Sequence, residues 1–434
     1  MIQCQNLHSR IIFGKKGLSV SINFQISLDI PDVEILKIEK NKTQDLIITV
    51  KSTKCSTPCH KCGKEATKSN GYGETIILQH LPIFGQQVYI RIKLPRYQCE
   101  YCDDKPTTTE QESWFNRRSK FTKAYEEYLM RSLINSTILD VSRKEGVSYD
   151  DVKGVLNRQV EKQVDWSQFN KINILGLDEI ALKKGHKDFV VIVSTRINGV
   201  IKILAILPDR LKETIKAFIQ GIPDHLKKTI KTACCDMYDG YINAVKEILG
   251  NKVKVVIDRF HVAKNYRKCL DTLRKQELKR LKKELTEAEY KKLKGAMWAL
   301  RKKEENLTEE EKIVLLVLFT YSPSLKQVYD FQKSLTEIFN HKINKKIASK
   351  LIKQWIKEVK ESELTCFDKF ISTLNKNWDD ILNYFHRKQR KNSGFIEGLN
   401  NKIKVIKRRC YGIFNVEKLF QRIFLDLEGY EKFA

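Results

Sequence analysis

The chain has 434 residues, 80 of them Lys or Arg against 53 Asp or Glu, a formal charge of +27 at neutral pH. This length supports roughly two to four domains with a sizeable core, and 41% hydrophobic with 31% charged residues argues against wholesale disorder. The longest purely apolar run, residues 313–319, is far short of the ~18–20 needed to cross a bilayer, and the start MIQCQNLHSRIIFGKKG is too polar for a signal peptide. No membrane association is expected, and a cytoplasmic location is. So large a positive excess repels itself in a compact state and calls for a polyanion. Neutralising nucleic-acid phosphates is the commonest use of such an excess, and a merely basic surface is the alternative.

Along the chain, the cysteines come first. Five of the 11 fall between positions 55 and 102. Cys4, Cys234, Cys235, Cys269, Cys366 and Cys410 are scattered and read as small buried hydrophobes. An odd count argues against a disulfide framework. The grouped ones form two knuckles, Cys59-His60-Lys61-Cys62 and Cys99-Glu100-Tyr101-Cys102. Two C-x-x-C pairs can present four thiolates to one tetrahedral Zn²⁺. Residues 75–81 and 87–94 flank Pro82-Ile83-Phe84-Gly85 in a hairpin pattern that would join the knuckles into a zinc ribbon. Cys55 and His60 are possible substitute ligands, and a redox pair is the competing chemistry. Four Cys would leave no open position on the metal, so the zinc is structural.

Residues 103–112, with Pro106 and three threonines, read as a linker. Residues 121–134 have a helical apolar rhythm. Apolar positions 138, 141, 147, 152, 155 and 156 then predict two short helices packed on each other. Gly146 supplies the left-handed turn and Ser148 can cap the second helix. This is a helix-turn-helix pattern, or else an ordinary helical hairpin. In the first case Tyr149, Asp150, Lys153 and Arg158 lie on or near the DNA-facing side.

From residue 172 the pattern turns to strands. Residues 172–177 run apolar into Asp178; 189–193 and 200–206 follow around an Asn198-Gly199 turn. A helix over 211–219 precedes a strand over 230–235 that ends at Asp236. A helix over 238–249 precedes another strand, over 254–257, that ends at Asp258. Carboxylates beyond strand ends stand where α/β active sites lie, although each could instead cap the next helix. Asp178 and Asp236 on adjacent strands would offer Mg²⁺ two hard oxygen ligands. Like charges held that close need a cation between them, or one pKa must rise.

The last informative stretch opens Ser393-Gly394-Phe395-Ile396-Glu397-Gly398-Leu399-Asn400-Asn401-Lys402-Ile403-Lys404. Its apolar stripe at 396, 399, 403 and 406 predicts a helix. Glu397, Asn401, Lys404 and Arg408 share a neighbouring face: a metal ligand followed by phosphate contacts, or a solvated basic face with one incidental Glu. Between Asp258 and this helix, residues 262–385 are rich in Lys, Glu and Leu. Thr286-x-x-Glu289 and Thr308-x-x-Glu311 look like capping boxes there, and Trp298, Trp355 and Trp378 could fill a helical core.

Taken together, the chain resembles a DDE transposase of the bacterial insertion-sequence group called ISL-three. The resemblance rests on the paired knuckles, the helix-turn-helix, Gly176-Leu177-Asp178-Glu179 with Lys184-Gly185-His186, and Cys235-Asp236-Met237-Tyr238 with Tyr241. Asp258-Arg259-Phe260-His261-Val262 and the Glu397 segment complete it. It implies a ribonuclease H-like core with Asp178, Asp236 and Glu397 as the metal-binding triad. Asp258 and His261 would support that site, with helix capping the alternative for Asp258. Ser194 is a departure, standing near where relatives have an Asp.

The expected fold class is therefore multidomain α/β: a zinc ribbon, a helix-turn-helix and a ribonuclease H-like core interrupted by a helical insertion. The expected divisions are 1–112, 113–168, 169–261, 262–386 and 387–434. The expected chemistry is phosphoryl transfer on DNA with two Mg²⁺ (or Mn²⁺) ions per active site, ~3.5–4 Å apart. The expected partners are double-stranded terminal inverted repeats and target DNA, with Tyr149, Lys153, Arg158, Lys404 and Arg408 as contacts. Pairing two ends implies a homodimer or larger assembly, nucleoid-associated when on DNA. The rivals are an inactive transposase-derived DNA-binding protein and a structure-selective nuclease with the same core.

Overall fold

The computed structural model describes residues 10–13, 18–21, 28–182, 189–385 and 394–433, with side chains from residue 28 onward except 394–397. Cys4, Lys184, Gly185, His186 and Ser393 lie outside the described residues. The chain divides into two compact units, Met1–Ser132 and Leu133–Lys432.

The first unit is mostly strands. β1 (Arg10–Phe13) and β2 (Leu18–Ser21) pair with each other. They are followed by β3 (Val33–Lys40), β4 (Leu46–Ser52), the short β5 (Thr57–Pro58) and β6 (Glu65–Ala66), and the long β7 (Lys68–Ile83) and β8 (Gln86–Gln98). β7 and β8 form the expected hairpin, turning at Phe84 and Gly85, both at positive φ. The sheet order is β3-β4-β8-β7, and its core is Ile48, Val50, Leu78, Val88, Ile90 and Ile92 under Trp114 and Phe115. The linker expected over 103–112 is not wholly irregular. Thr107–Thr109 form β9 on β8, because β-branched threonines suit a pleated surface. Helix α1 (Lys123–Leu133) follows.

The second unit opens with the two short helices, α2 (Ile138–Glu145) and α3 (Tyr149–Gln159). Thr137 and Ser148 accept from Asp140 N and Asp151 N as N-caps, and Gly146 sits at φ 69° between the helices. Val141, Val152, Val155 and Leu156 are buried between them; Ile138 and Val147 are half-buried.

Next comes a five-stranded sheet: β10 (Ile174–Ala181), β11 (Phe189–Ile197), β12 (Val200–Leu207), β13 (Thr232–Cys235) and β14 (Lys254–Ile257). Its order is β12-β11-β10-β13-β14; the first three strands are antiparallel and the last two run parallel to β10. This is the ribonuclease H-like arrangement that the resemblance implies. Side chains alternate between its faces. Leu175, Leu177, Val191 and Val193 pack beneath α4 (Lys212–Gly221), the short α5 (Asp224–Lys227) and α6 (Asp239–Leu249).

After β14 the chain is helical: α7 (Arg259–Glu284), α8 (Glu287–Lys291), α9 (Ala296–Ala299), α10 (Glu309–Tyr321), α11 (Pro323–Asn340), α12 (Lys345–Glu361), α13 (Asp368–Lys376) and α14 (Trp378–Leu382). Both capping boxes form, at Thr286 and Thr308. Trp355 is buried among Phe331, Phe367 and Phe370 and donates to the Phe331 carbonyl at 2.9 Å. Trp378 packs at the core's edge. Trp298 does not serve that core: it is 61% exposed with Arg301 over its ring, because short α9 buries Ala296 and Ala299 instead. Asn383 Nδ2 donates to the Val255 carbonyl, fastening the helical region to β14.

The other face of the sheet is covered by α15 (Gly394–Arg409) and α16 (Val416–Phe433). Leu399, Ile403 and Ile406 with Leu419, Phe420 and Ile423 bury Ile180, Val190, Ile192, Ile203 and Ile206. Asp426 is a buried hub here. It pairs with Arg409 of α15 and with Arg422, and accepts from Asn135 N at 3.0 Å. Arg422 in turn donates to the carbonyls of Leu133 and Ser136, which lead into α2. The helix-turn-helix and α15 are thus held by one ionic network.

Candidate functional site

The two knuckles flank the β7–β8 hairpin, whose pairing runs from Gln86 back to Gln98 opposite Lys68. This brings the Sγ atoms of Cys59, Cys62, Cys99 and Cys102 within 4.8 Å of one another. Cys99 is fully buried and Cys59 nearly so. Amides of Cys62 and Lys61 pull the Cys59 thiol down to about 6, while the neighbouring thiols push Cys102 up to about 12. Crowded sulfurs of this kind compete for protons until a soft cation takes them all as thiolates, so the donor set fits Zn²⁺. Cys55 is exposed and bonds its own loop, and His60 bonds Thr108. Neither is in the cluster.

The acidic site lies at the carboxyl ends of the parallel strands. Asp236 follows β13 directly, as expected. Asp178 does not stand beyond a strand: it lies inside β10, opposite Ile192 of β11. The parallel pairing with β13 stops at Gly176–Cys234, however. Asp178 therefore sits where β10 outruns its parallel neighbour, which leaves the carboxylate clear of β13 and beside Asp236. It is on the same face as Ile180, towards α15.

His261 joins the two carboxylates. Its Nδ1 is 3.1 Å from Asp236 Oδ1 and its Nε2 is 3.8 Å from Asp178 Oδ1. Asp258 caps α7 by accepting from Phe260 N, so the cap aims the first turn of α7, and with it His261, at the site. Burial raises the Asp178 pKa, and the charges of Asp236 and Asp258 add to that. Burial acts the same way on Asp236, but the hydrogen bond and charge of His261 outweigh it and its pKa falls. Burial likewise opposes protonation of His261, yet contact with the two carboxylates raises its pKa. A buried and a half-buried carboxylate gathered round one histidine fit a hard divalent cation.

On α15, Asn400 carries the contact. It is buried and donates from Nδ2 to Asp178 Oδ2 at 2.5 Å, and its Oδ1 has no hydrogen-bond partner among the described residues. The expected row through Asn401, Lys404 and Arg408 is exposed instead. Lys407 bonds the carbonyl of Ala181, the last residue of β10. Asn400 and Lys407, seven positions apart, are the residues that sequence reasoning missed. A second helical stripe through 396, 400, 403 and 407 was their only signal. Glu397 stands one turn before Asn400 on α15; its side chain lies outside the described residues.

Tyr241 of α6 is fully buried. Burial, with the charges of Glu179, Asp178 and Asp236, pushes its pKa up, and its hydroxyl has no partner among the described residues. Arg210 pairs with Glu179 at 3.1 Å and lies over the Tyr238 ring. Ser194 is buried inside β11 opposite Gly176, and its hydroxyl has no partner among the described residues. On α3, Tyr149, Asp150 and Arg158 are exposed and Lys153 is half-buried.

A ribonuclease H-like sheet with paired carboxylates at the ends of its parallel strands, joined to a four-cysteine cluster and a helix-turn-helix, defines a metal-dependent enzyme that works on DNA. A family model described as a transposase, of the ISL3 DDE type, matches residues 175–423. A zinc finger of the transposases of IS204, IS1001, IS1096 and IS1165 matches 56–102, and a helix-turn-helix domain of transposase family ISL3 matches 110–160. The chain belongs to the ISL3 family of DDE transposases, enzymes that catalyse DNA transposition. It is similar to the transposase for insertion sequence element IS1001 of Bordetella parapertussis, 26% identical over 92% of this chain and 95% of that one. It is also similar to the transposase for IS1557 of Mycobacterium tuberculosis, 21% identical over 86% of each chain. These matches favour a transposase over an inactive transposase-derived binding protein or a structure-selective nuclease with the same core.

Proposed function

We propose that this transposase binds the terminal inverted repeats of its element and cuts and joins DNA strands with Asp178, Asp236 and Glu397 as the ligands of Mg²⁺. The observation that carries this reading is the meeting of Asp178, Asp236 and His261 across β10, β13 and α7, with Asn400 of the Glu397 helix on Asp178. Bound divalent metal would polarise the phosphate and activate the attacking hydroxyl. Asn400 bonds one oxygen of Asp178, while the other accepts from Glu179 N at 2.8 Å and faces His261 Nε2. His261 holds Asp236 by one nitrogen at 3.1 Å. Lys404 and Arg408, exposed further along α15, are suited to the phosphates beside the cut. No covalent protein–DNA intermediate is needed, and no side chain is assigned as nucleophile.

The zinc ribbon and α3, through Tyr149, Lys153 and Arg158, would hold the repeats. Pairing two ends calls for a dimer or larger assembly. Action on the element's own chromosome places the protein in the bacterial cytoplasm. We further read the chain as a ribbon region to residue 112, a DNA-binding region to 168, and a core divided by the insertion over 262–386.

The test is Glu397→Gln, assayed with end DNA and Mg²⁺. Strand cleavage should fall on the order of 10³-fold or more while end binding is kept. Unchanged cleavage would remove Glu397 from the triad. Pre-cut ends supplied with a target plasmid should be joined, which a nuclease would not do.

A further inference from the structure

Helix α7 leaves the acidic site carrying a row of cations. Phe260, Lys264, Arg267 and Lys268 recur at helical spacing on one face, immediately flanking His261. All four are exposed, Phe260 by 47%. The positive charge of Lys264 reaches Asp236. No ion pair to Lys264, Arg267 or Lys268 occurs among the described residues, whereas Arg274, Arg301 and Lys275 are spent on Asp271 and Lys333 on Glu304. These three cations line an open cavity of about 910 Å³ in the helical insertion, whose other lining comes from α11 and the α9 region and includes Glu305 and Glu337. Phe260 belongs to the same lining, and its ring meets that of His261 edge-on at 5.6 Å.

We infer that this groove is a binding site for single-stranded DNA, holding the strand segment next to the bond that is cut. A cavity of this volume is the size that takes a small ligand, so it admits a few nucleotides and not a duplex. Uncompensated cations in a file track a sugar–phosphate backbone, and an exposed aromatic ring beside them offers a base a stacking platform. The groove begins one residue from His261, so a strand lying in it continues into the carboxylates. This inference rests on the transposase function; it adds a role for the insertion that neither the triad nor the helix-turn-helix supplies.

The experiment titrates full-length protein with a short fluorescein-labelled oligothymidylate, read by anisotropy across a salt series without added divalent metal. The variant carries Lys264→Gln, Arg267→Gln and Lys268→Gln. A control of equal charge carries Lys279→Gln, Lys282→Gln and Lys283→Gln, exposed on the same helix but outside the cavity. The groove variant should bind roughly 10–100-fold more weakly, with its log–log salt slope reduced by about 2, near the 0.7 per cation of single strands. The control should bind as wild type. Lys264→Arg with Lys268→Arg should restore binding, and Phe260→Ala should weaken it about tenfold or more without changing the salt slope. Equal losses in groove variant and control, or no loss in either, would overturn the inference. Catalysis is not involved, so this outcome is independent of Glu397→Gln and of cleavage by the wild-type protein.

Discussion

The cysteine cluster and the acidic site are both built to hold a cation, and they are built in opposite ways. Four soft ligands come from two knuckles tied by a single hairpin, so one local module closes the site. The acidic site draws on β10, β13, α7 and α15, with 222 positions between Asp178 and Asn400. A closed local site can only stabilise; a site gathered from four elements keeps an open side on which a substrate can sit. The difference also predicts how each site fails.

The largest effect should come at the knuckles. Cys99→Ser should lose zinc, and because metal binding supplies on the order of 10 kcal/mol to small zinc modules, the first unit should become sensitive to protease. Zinc content and limited proteolysis read this. A variant that kept its zinc and its protease resistance would break the contrast, since the closed site would then tolerate a missing ligand.

The acidic site should instead fail through its scaffold. Asp426 touches no reacting group, yet it ties Arg409 of α15 to the entrance of the helix-turn-helix. Asp426→Ala removes the carboxylate from buried Arg422 and half-buried Arg409 and should destabilise the second unit by about 3 kcal/mol, seen in urea unfolding, with zinc content unchanged. Asn400→Ala should fold normally but slow cleavage roughly 10–100-fold, because its amide orients Asp178, the proposed metal ligand. A rate equal to wild type would show that Asp178 needs no orienting partner.

The smallest effect lies in the insertion, away from both sites. Burial would raise the Asp271 pKa, but Arg274 and Lys275 outweigh it and hold it at about 2. A carboxylate depressed below its unfolded value stabilises the fold above about pH 4, and that contribution is lost as pH falls towards 2. Wild type should exceed Asp271→Asn by about 1 kcal/mol at neutral pH after allowance for solvent screening, and the gap should close on acidification. Thermal melting across pH measures it.

The same contrast explains what could be read from the residues alone. Short-range order was legible. C-x-x-C spacing, the Ser148 cap, the left-handed Gly146, both capping boxes and the strands ending at Asp236 and Asp258 are dictated within a few residues of themselves. Their physics is backbone hydrogen bonding and local stereochemistry. Trp298 went the other way, since bulk alone suggested a core and short α9 turned it to solvent. The choice between Asn400 and Asn401 could not be made locally either, because both satisfy the helix and only the packing of α15 on the sheet selects one. Asp178 needed the sheet as well: whether it stood at an end or inside a strand depended on where β13 stopped pairing.

By itself, then, the sequence determined the modules, their order and the residue types able to hold metal and phosphate, since these follow from spacing, charge and turn chemistry. Only the tertiary structure decided that His261 stands between Asp178 and Asp236, that Asn400 is the residue of α15 touching that pair, and that Asp426 binds α15 to the helix-turn-helix. Those are contacts between distant segments, fixed by which faces the sheet and helices bury, and side-chain burial is settled by the whole fold.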